Sequence, residues 1–176
     1  MNRSSAIRAA LLALPLLGLG WTWLSTDRAS REGVEWDVPV QGFDPRDLLQ
    51  GHYVEFQYEW PGLARRDDDE FGPLYGQSLC LEGRAPVVTR TVRVEPQAEL
   101  PGRRPCPNFI DGTRAYADGQ GGAVGGRLYA SQAEALRLQD QLRDPKLQGV
   151  VRIRLRPDGV VTPLKMTFRP RSEQAR

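Results

Sequence analysis

The chain has 176 residues, of which 40% are hydrophobic and 26% charged, so it can bury one domain core once a terminal segment is set aside. Its fourteen prolines and eighteen glycines argue against a helical bundle and favour a body rich in strands and loops. The formal charge of +2 is unevenly spread, because residues 1–31, 32–148 and 149–176 carry net charges of +3, −6 and +5.

The N-terminal segment predicts attachment to a membrane. Arg3 and Arg8 precede a run without charge, residues 9–24. At about 1.5 Å per residue, roughly sixteen to nineteen apolar residues extend 24 to 28 Å as a helix, enough to cross a thin hydrocarbon core. Trp21 and Trp23 stand at the far end of the run, where aromatic rings favour the headgroup region.

A cleaved signal peptide is the alternative interpretation, since it has the same basic start and apolar middle. No small-x-small site directly follows the run, which favours a retained anchor. In both cases the arginines favour a cytoplasmic N-terminus and an exported body. The predicted organisation is listed in chain order: a cytoplasmic N-terminus at 1–8, a transmembrane anchor at 9–24, a polar tether at 25–33, an exported α+β domain at 34–169 and a polar tail at 170–176.

A first strand is predicted after the tether. Apolar and polar residues alternate through EWDVPV, residues 35–40. Pro39 has no amide hydrogen, which restricts this strand to a sheet edge or places the proline where no amide is needed.

The next stretch, DPRDLLQGHYVEFQYEW at 44–60, has the most consistent local signals in the chain. Asp44, Pro45 and Asp47 suit the first turn of a short helix, and Gly51 suits its left-handed end. The period then changes to two, which predicts a strand with one buried face. That face would hold Val54, Phe56, Tyr58 and Trp60.

The string GHYVEFQY at 51–58, preceded by DPRDLL at 44–49, resembles the signature of the bacterial GDYXXLXY proteins. The residues that carry the resemblance are Asp44, Pro45, Arg46, Gly51, His52, Tyr53, Phe56 and Tyr58. His52 stands where the signature has Asp, so the motif loses an obligate anion. Phe56 replaces Leu and keeps the face apolar. The resemblance implies a small protein held in the bacterial inner membrane by one helix, with its body on the periplasmic side and no assigned catalytic residue.

An acidic run, Asp67 to Glu70, follows in a Pro- and Gly-flanked segment. Hard cations take closely spaced carboxylates, so a calcium loop is one interpretation. The run lacks an alternating D-x-D-x-D-G pattern, however, and contiguous residues cannot all point at one ion. A solvated loop is therefore the simpler interpretation.

Strand patterns resume at QSLCLE and at 86–95, with Gly83 and Arg84 as the predicted turn of an antiparallel hairpin. Cys80 and Cys106 are a candidate disulfide, because two cysteines in an exported domain are usually paired. Two free buried thiols are the alternative. A catalytic cysteine is a weaker one, since no orienting base is evident.

A glycine-rich segment, residues 116–126, lacks the Lys-Ser/Thr ending of a phosphate-binding loop, so no nucleotide is expected. A short strand at 127–130 follows. Ser131 and Glu134 then form a capping box, and Ala135, Leu138 and Leu142 are the predicted buried stripe of a helix that Pro145 ends. This amphipathic helix is expected to cover the domain's own sheet, with partner binding as the alternative.

A C-terminal hairpin is predicted with its turn at 157–159. One face of it is apolar, and the other is basic. The basic residues are Arg152, Arg154, Arg156 and Lys165. They could contact anionic headgroups or an acidic partner. They could instead form a solvated face, paired with acidic residues of neighbouring strands.

The predicted fold class is therefore α+β: a single N-terminal transmembrane helix, then a mostly antiparallel β domain with one amphipathic helix on its sheet. One histidine and two cysteines do not supply a zinc site, and no catalytic residue, cofactor or nucleic acid is expected. The favoured function is a non-catalytic interaction module for a membrane-protein or envelope partner. The alternative is a small hydrolytic or ligand-binding domain with a pocket around Asp44, His52 and Tyr53.

Overall fold

The computed structural model describes residues 3–42, 53–63, 77–94, 105–112 and 123–171, with the backbone alone for residues 3–12. The chain divides into two compact units, Met1–Glu32 and Gly33–Arg176. The fold is α+β, as predicted.

The first unit contains one helix, α1 (Arg3–Arg31), which extends beyond the predicted anchor at both ends, because residues 3–8 and most of the polar tether are also helical. Its last turns are closed by an ion pair of 3.1 Å between Arg31 and Asp27 and by the Glu32 amide, which donates to the Arg28 carbonyl. Within the described ranges, no helix combines the length and the apolar character needed to span a bilayer.

The second unit consists of strands and one helix. Their bounds, in chain order, are β1 (Val34–Gly42), β2 (Tyr53–Tyr58), β3 (Leu79–Arg84), β4 (Val87–Arg93), β5 (Phe109–Ile110), β6 (Gly125–Tyr129), α2 (Gln132–Arg143), β7 (Leu147–Leu155) and β8 (Val161–Pro170). The strands form one sheet, ordered β5-β3-β4-β1-β2-β6, from which β7 and β8 branch at β1.

Strand β1 is the centre of this sheet. One of its edges pairs antiparallel with β7 over seven residues, and the other pairs first with β4, parallel, and then with β2, antiparallel. Although β1 contains Pro39, it is not an edge strand, so the second predicted option applies: the proline lies where no amide is needed. The Asp37 amide donates to the Pro86 carbonyl, and the Pro39 carbonyl accepts from the Glu59 amide, both on that second edge. Pro39 therefore lies where the neighbouring strand changes from β4 to β2 and no amide is required.

The sheet curves until its branches meet. Strands β6 and β8 are parallel to each other, because each is related to β1 through two antiparallel pairings. They are neighbours, yet no hydrogen-bonded register joins them in the described part of the chain. We call this junction the seam.

Inside the curve lies the apolar core. As predicted, Val54, Phe56, Tyr58 and Trp60 are buried, and they share the interior with Trp36, Val38, Val40, Val151, Ile153 and Leu155. Burying each large apolar side chain contributes about 1.5 to 3 kcal/mol. The Trp60 indole also donates to the Ala123 carbonyl at 2.6 Å, which secures the end of β2 to the start of β6.

Helix α2 covers one end of the core. Its cap is the predicted one, since the Ser131 hydroxyl accepts from the Glu134 amide at 3.4 Å. Ala135 and Leu138 are buried against Val54, and Leu142 is half-buried beside them. The helix therefore packs on the domain's own sheet, as expected from its apolar stripe.

Both predicted hairpins form, but one turn was misplaced. In the β3–β4 hairpin the turn residues are Ala85 and Pro86. Gly83 instead lies in a β-bulge with φ +141°, where a Cβ atom would come within 2.5 Å of the Val87 carbonyl oxygen. Glycine is favoured both in β-bulges and in tight turns, so its position in the sequence does not show which of the two it forms.

Candidate functional site

The strand of the family-like string, β2, has different chemistry on its two faces. Its inner residues pack in the core: the Phe56 and Tyr58 rings meet edge to face at 5.4 Å, and the Tyr58 and Trp60 rings are 4.9 Å apart. Burial raises the pKa of the Tyr58 phenol well above its usual range, so this hydroxyl stays neutral. Phe56 and Tyr58 are therefore structural, and any binding role of β2 belongs to its outer face.

The outer face of β2 and β6 carries a compact group of side chains, Tyr53, Glu55, Arg127 and Tyr129, which we call the tyrosine–arginine patch. The Tyr53 and Tyr129 ring centroids are 6.0 Å apart at 59°. The Arg127 guanidinium carbon lies 5.0 Å from the Tyr53 centroid, and its Nε is 3.6 Å from Oε1 of Glu55. Tyr129 is 70% exposed, so its ring projects to solvent.

The antiparallel register of β2 and β6 assembles this patch. Tyr53 is opposite Tyr129, and Glu55 is opposite Arg127. Cross-strand neighbours of this kind lie about 5 Å apart, so each pair contacts directly. The arginine therefore contacts a ring face on one side and a carboxylate on the other.

Towards the other end of β2 the outer face becomes an amide–carboxylate network. The Gln148 side-chain amide donates to Oε2 of Glu59 at 2.9 Å and to the Val40 carbonyl at 3.0 Å. The Gln41 amide donates to the other carboxylate oxygen of Glu59. The two carboxylate oxygens of Glu59 thus link Gln41 of β1 to Gln148 of β7.

The predicted arginine row lies on the outer face of β7 and is paired with acidic residues. Arg152 makes a bidentate contact with Asp37 at 2.7 and 2.8 Å, and Arg154 contacts Glu35 at 2.8 Å. Arg156 contacts Asp158 in the hairpin turn at 2.7 Å. The hydrogen bond from Arg152 lowers the pKa of Asp37, and burial opposes that shift only in part.

Lys165 is the register partner of Arg152 on β8, and it is exposed. It forms no ion pair with any described residue, in contrast to the three arginines. The structure therefore separates the four predicted basic residues into paired arginines on and just after β7 and an uncommitted lysine on β8.

The predicted disulfide is confirmed. Cys80 on β3 is bonded to Cys106, in the segment that leads into β5. The bond lies beside the β3–β5 pairing, in which Cys80 is opposite Phe109. It joins a short strand of only two residues to the rest of the sheet.

Asp44, Pro45, Arg46, Gly51 and His52 lie outside the described residues, as does the acidic run at 67–70. The pocket suggested for the alternative function is therefore represented only by Tyr53. Among the described residues, no three His, Cys, Asp or Glu side chains are grouped to hold a metal ion.

Two members of the patch, Arg127 and Tyr129, were missed by sequence reasoning, which treated residues 127–130 only as a short strand. Their signal was the alternation Arg-Leu-Tyr, since Leu128 is half-buried against the core and its two neighbours face outward. The alternation indicates that both face outward, but it does not indicate which strand lies beside them.

Comparison with known protein families matches residues 15–166 to the GDYXXLXY protein family. The match covers most of the 176-residue chain. The chain belongs to the GDYXXLXY family. No curated protein and no solved structure gave a significant match. The family string of this GDYXXLXY protein thus contributes Tyr53 to the surface patch and Phe56 and Tyr58 to the core.

Proposed function

We propose that this GDYXXLXY protein is a membrane-anchored interaction module, whose exported domain binds a membrane-protein or envelope partner through the tyrosine–arginine patch. The observation that carries the proposal is the exposed Tyr129 ring beside Tyr53 and a fixed Arg127. Tyrosine and arginine are enriched where partners bind, and they supply much of the binding energy.

Pre-ordering supports this use of the patch. Arg127 is positioned by Glu55 and the Tyr53 ring, so a partner immobilises fewer side chains when it binds. The amphipathic Tyr129 ring can contact an apolar surface while its hydroxyl remains hydrated or hydrogen-bonded. Both properties suit a non-covalent contact better than bond-making chemistry.

Helix α1 supplies the proposed anchor. Its large apolar side chains are exposed, by 47% to 75%, and these are Leu14, Leu16, Leu17, Leu19, Trp21, Trp23 and Leu24. An exposed apolar surface of this kind is characteristic of a membrane or partner contact. The uncharged run at 9–24 reaches about 24 Å, so a span would require a thin bilayer or local thinning.

The disulfide supports export. Such bonds persist in oxidising compartments such as the bacterial periplasm and are rare in the cytosol. The Cys80–Cys106 bond is half-buried and links β3 to the segment before β5, a position typical of a structural bond. The proposed location is the periplasmic side of the inner membrane, with the N-terminus in the cytoplasm.

The test is affinity capture of the full-length protein from membranes in mild detergent, with wild type, Tyr129→Ala and Val87→Ala compared. Val87 is the matched control, because it is 62% exposed and lies outside the patch. We expect the wild type to capture the same partner reproducibly. Tyr129→Ala should reduce the amount captured at least about fivefold, which corresponds to roughly 1 kcal/mol of binding free energy. Capture that is unaffected by Tyr129→Ala would contradict the proposed surface.

Location is tested separately. After spheroplast formation, added protease should digest the domain while the cytoplasmic N-terminus stays protected. Alkaline carbonate should leave the protein in the membrane fraction if α1 is an integral anchor. Release by carbonate would contradict the anchor, and protection of the domain from protease would contradict export.

A further inference from the structure

Strand β8 carries exposed cations that have no ion-pair partner among the described residues of the domain. Lys165 and Arg169 lie on its outer face, and Lys146 and Arg171 lie where the hairpin ends; all four are exposed. The Arg171 amide donates to the Lys146 carbonyl at 2.8 Å, which brings these last two together. We call the four residues the basic edge.

Within the described chain, none of the four forms an ion pair, although acidic groups are close by. Asp37, which is near enough to feel Lys165 and Arg169, is already bound by Arg152. Glu59 is engaged by two glutamine side chains, and Asp144 accepts the Lys146 backbone amide. The local carboxylates are thus committed, and the basic edge keeps a surplus of positive charge.

The basic edge and the tyrosine–arginine patch lie on strands that are neighbours across the seam. Leu128 of β6 and Met166 of β8 both pack against the cluster under α2, which places these two strands level with each other. Side chains alternate along a strand, so the residues on either side of Leu128 and Met166 face outward at the same level. Tyr129 and Arg127 therefore face the same outer surface as Lys165 and Thr167, on two neighbouring strands.

We infer that this combined surface binds an acidic, extended segment of a protein partner, with carboxylates on the basic edge and apolar groups against Tyr129. This inference rests on the proposed function and names the chemistry of its partner. Lys165 and Arg169 are about 13 Å apart along β8. An extended peptide presents same-side residues about every 6.6 Å, so the two cations match every second same-side carboxylate.

We take the occupant to be a protein segment, because three of the four cations lie at the end of the body opposite to the residue at which the chain enters it. The chain enters the body at Gly33, and Val34 is opposite Leu155 at that end of the sheet. Lys146, Arg169 and Arg171 lie at the other end of β7, beyond the pairing of Leu147 with Pro170. Leu147 and Leu155 are eight steps apart along the extended strand, which corresponds to about 26 Å.

The experiment uses the full chain in phosphatidylcholine nanodiscs, with a fluorescent peptide of alternating Glu and Thr and its Gln-for-Glu counterpart as probes. We expect the acidic peptide to bind at least about tenfold more tightly. The double variant Lys165→Gln/Arg169→Gln should weaken that binding about fivefold, as expected for two exposed ion pairs. The matched control, Arg84→Gln/Arg137→Gln, removes the same charge elsewhere and should leave binding within about twofold.

Equal binding of both peptides, or equal loss in the control, overturns the inference. A second arm uses vesicles of phosphatidylglycerol and phosphatidylcholine. Vesicle binding that depends on Lys165 and Arg169, without peptide binding, assigns the basic edge to lipid headgroups and also overturns it. A captured partner that requires Tyr129 but not Lys165 and Arg169 overturns this inference while the proposed function stands. If the acidic peptide binds but no captured partner depends on Tyr129, the proposed function is contradicted while this inference stands.

Discussion

Across the β1–β7 pair, the Arg152 guanidinium donates hydrogen bonds of 2.7 and 2.8 Å to the two carboxylate oxygens of Asp37. The two residues are 115 positions apart in the chain, so this ion pair forms only when β1 and β7 are aligned. A bidentate arrangement fixes the geometry as well as the charge. It therefore reports on the correct register of the central strands.

This pair makes stability depend on acidity. The pKa of Asp37 is lowered from 3.8 in the folded protein, chiefly by the hydrogen bond from Arg152, so the unfolded chain binds that proton more tightly. The ion pair stabilises the fold fully when the pH is above the pKa of Asp37 in the unfolded chain. This stabilisation is lost as the pH falls through the lower pKa of Asp37 in the folded protein. Urea unfolding of wild type and Asp37→Asn should show the variant less stable at pH 7, with the gap closing below about pH 4. A gap that stays constant to pH 2 would contradict this origin.

The close approach of β6 to β2 requires glycine at position 125. A Cβ atom on Gly125 would lie 2.3 Å from the Phe56 carbonyl oxygen, a backbone atom that cannot move aside. We expect Gly125→Ala to destabilise the domain by about 2 kcal/mol or more, measured by chemical denaturation. Gly18→Ala is the control, because no atom lies within 4 Å of its Cβ position, and it should leave domain unfolding unchanged.

Phe56 occupies the signature position of a leucine, and Gly126 makes room for its ring. A Cβ atom on Gly126 would lie 3.0 Å from the ring carbon Cζ of Phe56 and 3.1 Å from the Tyr58 hydroxyl. Phe56→Leu and Gly126→Ala should each cost about 1 kcal/mol, the first by leaving space and the second by crowding. The double variant should cost less than the sum of the two, by roughly 1 kcal/mol. If the free-energy costs of the two single variants add up in the double variant, Gly126 does not compensate for the larger ring of Phe56.

The Cys80–Cys106 bond closes a loop of 26 residues. In the chain-entropy account, opening it should cost about 3 to 4 kcal/mol, because the unfolded chain regains freedom. Guanidinium unfolding with and without dithiothreitol measures this cost. The Cys80→Ser/Cys106→Ser variant should match the reduced protein and show no further response to reductant. A wild-type midpoint that does not respond to reductant would contradict the prediction.

Local structure could be predicted from the sequence wherever residues close together in the chain determine it. The period of two around Phe56 predicted the buried face of β2, and Ser131 predicted the start of α2. Features set by distant neighbours were not readable. The pairing of Arg152 with Asp37 and the central position of β1 depend on strand order, which no local pattern encodes.

The candidate site shows the same division. Tyr53 was identified from the family-like string, whereas Arg127 and Tyr129 joined it only through the β2–β6 register. Gly125 and Gly126 fall in the glycine-rich segment before the predicted strand at 127–130, because glycine has little intrinsic preference for strands. They are strand residues because the Phe56 backbone and ring occupy the space of their missing side chains.

The position of β1 has a consequence for biogenesis. Val34 is opposite Leu155, about 120 residues later in the chain, so the first strand lacks a principal neighbour until synthesis is almost complete. At 5 to 20 residues per second, this delay lasts roughly 6 to 24 s. Throughout that interval Trp36, Val38 and Val40 lack their core partners Val151, Ile153 and Leu155, so we expect maturation to depend on a holding chaperone in the compartment where the domain folds.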